Sequence, residues 1–201
     1  MDFSGKKVLV VGLARSGMAA IRVLKKLGAD ITLSESKKKE DIKELDFLNE
    51  NGVEIVGQDM DVFKRDFDLV VKNPGVPYRS PMMQRLAERG IPVITEIELA
   101  YQVAQPQHYI AITGTNGKTT TTSLTYEILA RAFPGKAHLC GNIGIPLCEI
   151  VMENGLMEEG GHYIALEISN FQLVNIDKFR PEVATTINLT PDHIDFMGSL
   201  D

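Results

Sequence analysis

Between an apolar run, Tyr109-Ile110-Ala111-Ile112, and a long helical pattern lies the octapeptide Thr113-Gly114-Thr115-Asn116-Gly117-Lys118-Thr119-Thr120. Glycines at the head of a helix let successive backbone N–H groups wrap a phosphate chain, and the helix N-terminus adds partial positive charge. In such a loop the position of Lys118 reaches the β- and γ-phosphates, and that of Thr119 puts a hydroxyl on Mg²⁺. The spacing departs from GxxxxGK[ST], because Ile112 stands where the first glycine would. Gly114, Thr115, Asn116, Gly117, Lys118, Thr119 and Thr120 are nevertheless the candidate ATP-binding residues, since strand, loop and helix agree. The competing reading is an ordinary glycine-rich strand-to-helix turn.

Downstream, Tyr163-Ile164-Ala165-Leu166-Glu167 puts an acid at the carboxyl end of a buried strand. A carboxylate leaving an apolar strand beside a phosphate loop can anchor Mg²⁺ directly or through water. Otherwise it is a surface glutamate at a strand end. The run Val183 to Ile187 ends in Asn188-Leu189-Thr190-Pro191-Asp192-His193-Ile194-Asp195. Two acids flanking His193 could hold a metal or orient the imidazole, or form a polar turn with a solvated histidine. Asn142, in Cys140-Gly141-Asn142-Ile143-Gly144, either approaches a ligand or shapes a turn. His108, His138 and His162 lack clustered partners and read as structural. No Ser/His/Asp order, HExxH helix or CxxC pair is visible, so a side-chain nucleophile is not suggested.

A second glycine loop, Gly12-Leu13-Ala14-Arg15-Ser16-Gly17, follows the first apolar run. Its place at a first βα turn suits a phosphate, but Ala14 stands where GxGxxG needs its middle glycine, and a Cβ there crowds a dinucleotide pyrophosphate. Ser34-Glu35 offers an acid where a ribose hydroxyl would be read. A nicotinamide site and a plain turn both remain open on these residues. Asn73-Pro74-Gly75-Val76-Pro77 lies at another strand's carboxyl end, the edge where open α/β sheets bind ligands, and is otherwise a rigid Pro-Gly turn.

Short apolar runs and helical patterns alternate so as to position these residues. Val8 to Val11, Ile31 to Leu33, Val53 to Val56, Leu69 to Val71 and Pro92 to Ile94 read as strands, Met18 to Leu27 as a helix, and Glu40 to Asn51 as a charged amphipathic helix. After a break at Ala104 to His108 a second cycle begins: strand 109–112, helix 118–132, and strands 137–139, 163–166 and 183–187. Such alternation implies βαβ units and parallel sheets. The reading is an α/β protein with a Rossmann-like unit over residues 1–104 and the first part of a P-loop-type ATP-binding unit over 105–201. The second sheet looks unfinished.

The chain has 201 residues, 44% hydrophobic and 24% charged, which excludes a disordered or fibrous class. A net charge of −6 argues against a general nucleic-acid binder. No run approaches the ~20 apolar residues that cross a bilayer, and no signal peptide is visible. Cys140 and Cys148 form no CxxC pair, and two reduced, partly buried thiols suit a cytoplasmic protein. No nucleic acid and no membrane insertion are expected, and the protein is read as a monomer.

The segments TGTNGKTT, CGNIG, LEISNFQL and NLTPDHID, in that order and with VVGLARSG and KNPGVP before them, resemble the Mur ligase family of ATP-dependent peptidoglycan precursor ligases. The resemblance covers essentially the whole chain. It implies activation of a substrate carboxylate by ATP to an acyl phosphate, followed by attack of an amino group. For this pattern it implies UDP-N-acetylmuramoyl-L-alanine and D-glutamate as substrates, with ATP and Mg²⁺. Lys118, Glu167 and His193 then take catalytic roles, with Thr119, Glu167 and His193 as metal ligands. Asn142 and Gln172 fall near the UDP-sugar and peptide end, and Arg15, Ser16, Ser34, Glu35, Asn73 and Gly75 in the uridine diphosphate pocket. Many relatives carry an aspartate where this chain has Ser34 followed by Glu35. The family also has a carbamylated lysine beyond DHID, more of the ATP domain and an amino-acid domain, so this chain alone is expected to bind the UDP-substrate without ligating. The alternatives are a Mur ligase adding L-alanine, a diamino acid or a dipeptide, and more remotely a nicotinamide-dependent dehydrogenase.

Overall fold

The computed structural model describes residues 2–58, 62–77 and 79–191. Two parallel sheets follow one another along the chain. The first contains β1 (Lys7–Val11), β2 (Asp30–Ser34), β3 (Glu54–Val56), β4 (Leu69–Lys72) and β5 (Val93–Ile94), in the order β3-β2-β1-β4-β5. The second contains β6 (His108–Thr113), β7 (Ala137–Gly141), β8 (Tyr163–Glu167) and β9 (Val183–Thr186), in the order β7-β8-β6-β9. The helices are α1 (Arg15–Lys26), α2 (Leu45–Glu50), α3 (Pro81–Glu88), α4 (Glu96–Val103), α5 (Lys118–Ala132), α6 (Leu147–Glu153) and α7 (Asn170–Leu173). This is the α/β architecture with parallel sheets that the alternation of runs predicts. No helix among the described residues is long and apolar enough to cross a membrane.

β1 is buried on both faces because helices cover both, and its unbroken aliphatic run reflects that. Val8 and Val10 join a core that runs through α1, α4 and α6 into the second sheet, where it takes in Ile164, Leu166 and Cys140. Leu9 and Val11 face the other way, onto Val70 and the Met82, Met83 and Leu86 face of α3. α1 can begin so close to β1 only because Gly17 has no side chain: a Cβ there would stand 2.1 Å from the Gly12 carbonyl oxygen.

The sheet registers align the loop-bearing ends. Val11 pairs with both Ser34 and Lys72, so Gly12, Glu35 and Asn73 leave one edge of the first sheet together. Glu167 pairs with both Ile112 and Gly141, and Thr113 with Thr186, so the glycine loop, Asn142 and Asn188 share an edge of the second.

Three expectations change. The helix expected over Glu40 to Asn51 is a 3₁₀ turn, Lys39–Asp41, followed by the shorter α2. Ile42 interrupts it, taking extended backbone to bury itself in the core. Cys140 and Cys148 are free and fully rather than partly buried, and burial together with the Glu96 charge pushes both thiols well up. His138 and His162 do have partners: Nε2 of one lies 2.9 Å from Nδ1 of the other, with the rings stacked. His108 meets Glu182 at 2.9 Å.

The histidine pair sets a pH dependence. Burial, and then the neighbouring His162, hold the His138 pKa below its ordinary value of 6.5. The folded state therefore binds fewer protons than the unfolded chain, so this stabilisation is complete above pH 6.5 and is lost as pH falls through the depressed folded value. Thermal unfolding between pH 7.5 and 5 should show a falling midpoint, and a smaller fall in His138→Gln.

Candidate functional site

The octapeptide emerges from β6 and turns into α5. Gly114 has φ +140, and a Cβ on it would approach the Asn188 carbonyl oxygen to 3.0 Å. Gly117 has φ +81 and serves as N-cap of α5, which leaves the first N–H groups of that helix free of a side-chain cap. The loop is pinned to the chain beyond β9. Asn188 accepts the Asn116 N–H at 2.9 Å through its side chain and donates to the Asn116 carbonyl at 2.8 Å. Thr115 donates its hydroxyl to the Thr190 carbonyl at 3.1 Å and accepts the Thr190 N–H at 3.0 Å. Lys118 folds back over the loop, donating from Nζ to the carbonyls of Gly114 at 2.7 Å and Thr115 at 3.0 Å. Thr120 is exposed in the first turn of α5.

Glu167 is 2% exposed at the end of β8. Its Oε2 accepts the Thr119 hydroxyl at 2.9 Å and its Oε1 accepts the Asn142 amide at 2.8 Å. Thr119 and Glu167 thus stand together as oxygen donors of the hard kind that suits Mg²⁺. His193 lies outside the described residues. Among the described residues no three His, Cys, Asp or Glu side chains gather as a metal site.

Arg15, Ser16 and Asn73 from the first sheet's edge line one cavity with Asn142 and Gln172 from the second, joined by Glu96, Gly144 and Pro146. Its volume is about 230 Å³. Asn73 donates to the Ser16 hydroxyl at 2.9 Å and accepts the Gly75 N–H at 3.0 Å, which fixes both loops. Gln172 sits in a capping box with Ser169 at the head of α7. Gly75 supports Asn73 from outside the cavity. Ser34 and Glu35 are not brought to it either. Ser34 is fully buried, with its hydroxyl 3.4 Å from the Gly57 carbonyl. Glu35 accepts the N–H groups of Leu13, Ser36 and Lys37. Burial would raise the Glu35 carboxyl, but these bonds outweigh it and hold the group below its usual range. It serves the first glycine loop as a strut.

A larger cavity of about 610 Å³ lies between Tyr101, Gln105, Lys178 and Glu182. None of the candidate residues lines it, so volume alone does not mark the chemistry.

Sequence reasoning missed Asn188, Glu96, Glu98 and Lys72. Lys72 is 1% exposed and holds the Asn73–Val76 turn by donating to both terminal carbonyls, at 3.3 and 2.9 Å, and burial lowers its pKa to about 8. Glu98, fully buried, accepts the N–H groups of Asp177, Lys178 and Phe179 at 2.9–3.0 Å and ties α4 to the turn after α7. Thr95 as N-cap with Glu98 three residues on is a helix-start signal legible in the sequence; the distant partners are not.

Fold and loop together define a class: an α/β protein of tandem parallel sheets, with a lysine-bearing glycine loop heading a helix. Comparison with known proteins sharpens it. A family profile described as Mur ligase MurD-like, N-terminal domain, matches residues 6–95, and one described as Mur ligase middle domain matches 112–201. The chain belongs to the Mur ligase family, whose members are ATP-dependent amide-bond-forming ligases. It is 43% identical over 199 residues to a UDP-N-acetylmuramoylalanine–D-glutamate ligase of Geobacillus kaustophilus (strain HTA426), covering 98% of this chain and 43% of that protein. The enzyme of the same name from Lactococcus lactis subsp. cremoris (strain MG1363) is 46% identical over 199 residues, with the same shares. The chain therefore spans 43% of the length of these relatives.

Among solved structures, the UDP-N-acetylmuramate:L-alanyl-gamma-D-glutamyl-meso-diaminopimelate ligase from Neisseria meningitides superposes with TM-score 0.54 at 19% identity, over 98% of this chain and 64% of that one. The UDP-N-acetylmuramate-alanine ligase from Thermotoga maritima gives 0.50 at 22% identity, over 96% and 44%. At those identities they show the shared fold.

Gly114→Ala should lower stability by about 1–3 kcal/mol, the usual cost of a side chain held in a sparsely populated backbone region. Its Cβ would also push Asn188 away from the loop. Chemical denaturation of the variant checks this.

Proposed function

We propose that this chain is the substrate- and ATP-binding portion of a ligase that adds D-glutamate to UDP-N-acetylmuramoyl-L-alanine through an acyl phosphate. One observation carries the reading: a single cavity is lined by Arg15, Ser16 and Asn73 on one side and Asn142 and Gln172 on the other, and Asn142 is bonded to the carboxylate that also holds Thr119 of the glycine loop. A carboxylate substrate lying in that cavity ends beside the place where a γ-phosphate would lie. We assign residues 1–104 to the unit that binds the UDP-substrate and 105–201 to the first part of the ATP-binding unit.

In the first step a substrate carboxylate oxygen attacks the γ-phosphorus, the bond to the bridging oxygen breaks, and ADP leaves. In the second the amino nitrogen of D-glutamate attacks the acyl carbon, phosphate departs and the nitrogen loses a proton. Neither step needs a side-chain nucleophile. Both need positioning and neutralised phosphate charge. Lys118 supplies a cation over the loop, and phosphate oxygens would take the place of the carbonyls it now holds. Mg²⁺, when bound through Thr119 and Glu167 and, as the family resemblance implies, His193, supplies further charge neutralisation. Glu35 and Lys72 hold the walls of the first-sheet loops, and Arg15 offers a cation to the diphosphate. ATP and a UDP-linked precursor as reactants go with a cytoplasmic location, and we read the protein as a monomer.

Calorimetric titration of the chain with UDP-N-acetylmuramoyl-L-alanine, UDP-N-acetylmuramate and NAD⁺ tests the reading. Saturable binding that favours the alanylated precursor is expected. Preference for UDP-N-acetylmuramate would shift the assignment to an L-alanine-adding ligase, and binding of NAD⁺ alone would overturn it. Lys118→Ala should weaken ATP about 10- to 100-fold, the worth of charge-assisted hydrogen bonds, and leave precursor affinity alone.

A further inference from the structure

Glu96 opens α4 and is 2% exposed, yet it lines the cavity shared by the two sheets. Its Oε1 accepts the backbone N–H of Cys148 in the first turn of α6. The Cys148 thiol, a weak donor, lies against the same carboxyl and 3.5 Å from the Glu96 backbone carbonyl. No other donor reaches the group among the described residues. Among the described residues the sealed side-chain atoms without a partner are Tyr109 OH, His162 Nε2 and Asn175 Oδ1; the second Glu96 oxygen is not one of them, and the cavity is the space that Glu96 lines.

The charged form is poorly served in this setting. Burial pushes the pKa up to about 7, opposed by the Cys148 hydrogen bonds and aided by the charge of Glu149. The ionisable groups beside it are Cys148 and Glu149 on α6 and Cys140 on β7, and Arg15 of α1 lines the same cavity. Arg22 lies over the Phe47 ring, and Lys72 of β4 is held by the Asn73 and Val76 carbonyls. A neutral carboxylic acid has one acceptor and one donor. Oε1 already acts as the acceptor, which leaves the proton on the second oxygen, beside the cavity that Glu96 lines.

We propose that Glu96 is a specificity-determining residue of this cavity, its carboxyl proton donated to an acceptor oxygen on the sugar–peptide end of the nucleotide-activated substrate while its carbonyl oxygen holds α6 through Cys148. The inference rests on the reading above that the cavity takes that substrate. An anionic ligand covering the group removes water and adds negative charge, and both hold the proton more firmly. Binding then takes up a proton as pH passes through neutrality. Affinity for the precursor should be about tenfold weaker at pH 8 than at pH 6.

Titration of the chain and of Glu96→Gln and Glu96→Leu with UDP-N-acetylmuramoyl-L-alanine and with UDP, at pH 6 and pH 8, tests this. In Glu96→Gln the amide keeps an acceptor for Cys148 and a donor for the cavity but cannot titrate, so precursor affinity should be equal at the two pH values. Glu96→Leu should lose at least about tenfold at pH 6, the worth of a buried hydrogen bond. UDP affinity should be indifferent to both changes. If Glu96→Gln keeps the wild-type pH slope, if the wild type has none, or if UDP weakens as much as the precursor, the role of Glu96 is overturned while the cavity assignment stands. If the wild-type chain binds neither ligand, the cavity assignment fails and this inference with it. Should Glu96→Leu prove unfolded in a thermal melt, the Gln variant decides alone.

Discussion

The Glu167 carboxylate is the joint on which the second sheet's working edge depends. It is almost wholly buried, and each of its oxygens is taken by a different loop: Thr119 from the head of α5 and Asn142 from the turn after β7. Two side-chain donors compensate its burial, and removing either would leave an acceptor short in an apolar wall. β8 lies between β7 and β6, so in this register its last residue stands beside both neighbouring loops. A one-residue slip of β8 would turn Glu167 to the opposite face and separate the glycine loop from the cavity.

The first sheet uses buried charge in a related way. Glu35, the first residue past β2, and Lys72, the last of β4, spend their hydrogen-bonding capacity on the backbone of a loop, Glu35 on the Leu13 N–H and Lys72 on the carbonyls of Asn73 and Val76. Loops built from glycine and proline have few side chains with which to hold themselves. A charged group from the strand below gives such a loop one conformation, and Asn73 then reaches Ser16 across the gap. The cavity walls are stiff because these strand ends are occupied.

What could be read from the sequence divides along physical lines. Lys118, Thr119 and Glu167 were legible because local order carries the signal: an apolar strand, then glycines, then a cation and a hydroxyl at fixed offsets. Asn73 and Asn142 stand out by their place in turns at strand ends but need the family resemblance to be assigned a role, because a polar residue in a glycine turn is ambiguous by itself; Gln172 comes from the resemblance alone. Asn188 and the His138–His162 pair were opaque, since the partners of each lie 24 to 72 residues away and meet only when strands pair. The eight-residue α3 and α4 carry start signals at Ser80-Pro81 and Thr95, too short a pattern to stand out against their surroundings. The helix expected at Glu40 failed because the burial of Ile42 overrode its charged neighbours.

Besides the Gln102 side-chain amide, Glu98 accepts three backbone amides, which belong to residues 79 to 81 positions later in the chain. On a ribosome adding about 5–20 residues each second, those amides follow the acid by roughly 4–16 s. During that interval α4 has its glutamate but not the partners that let it leave water, so the helix waits at the surface of the nascent protein. The contact that closes α4 against the second sheet is therefore also a timing device. The first sheet can collapse as soon as β5 is made, whereas the wall it shares with its neighbour sets only after β8 and α7 have left the exit tunnel.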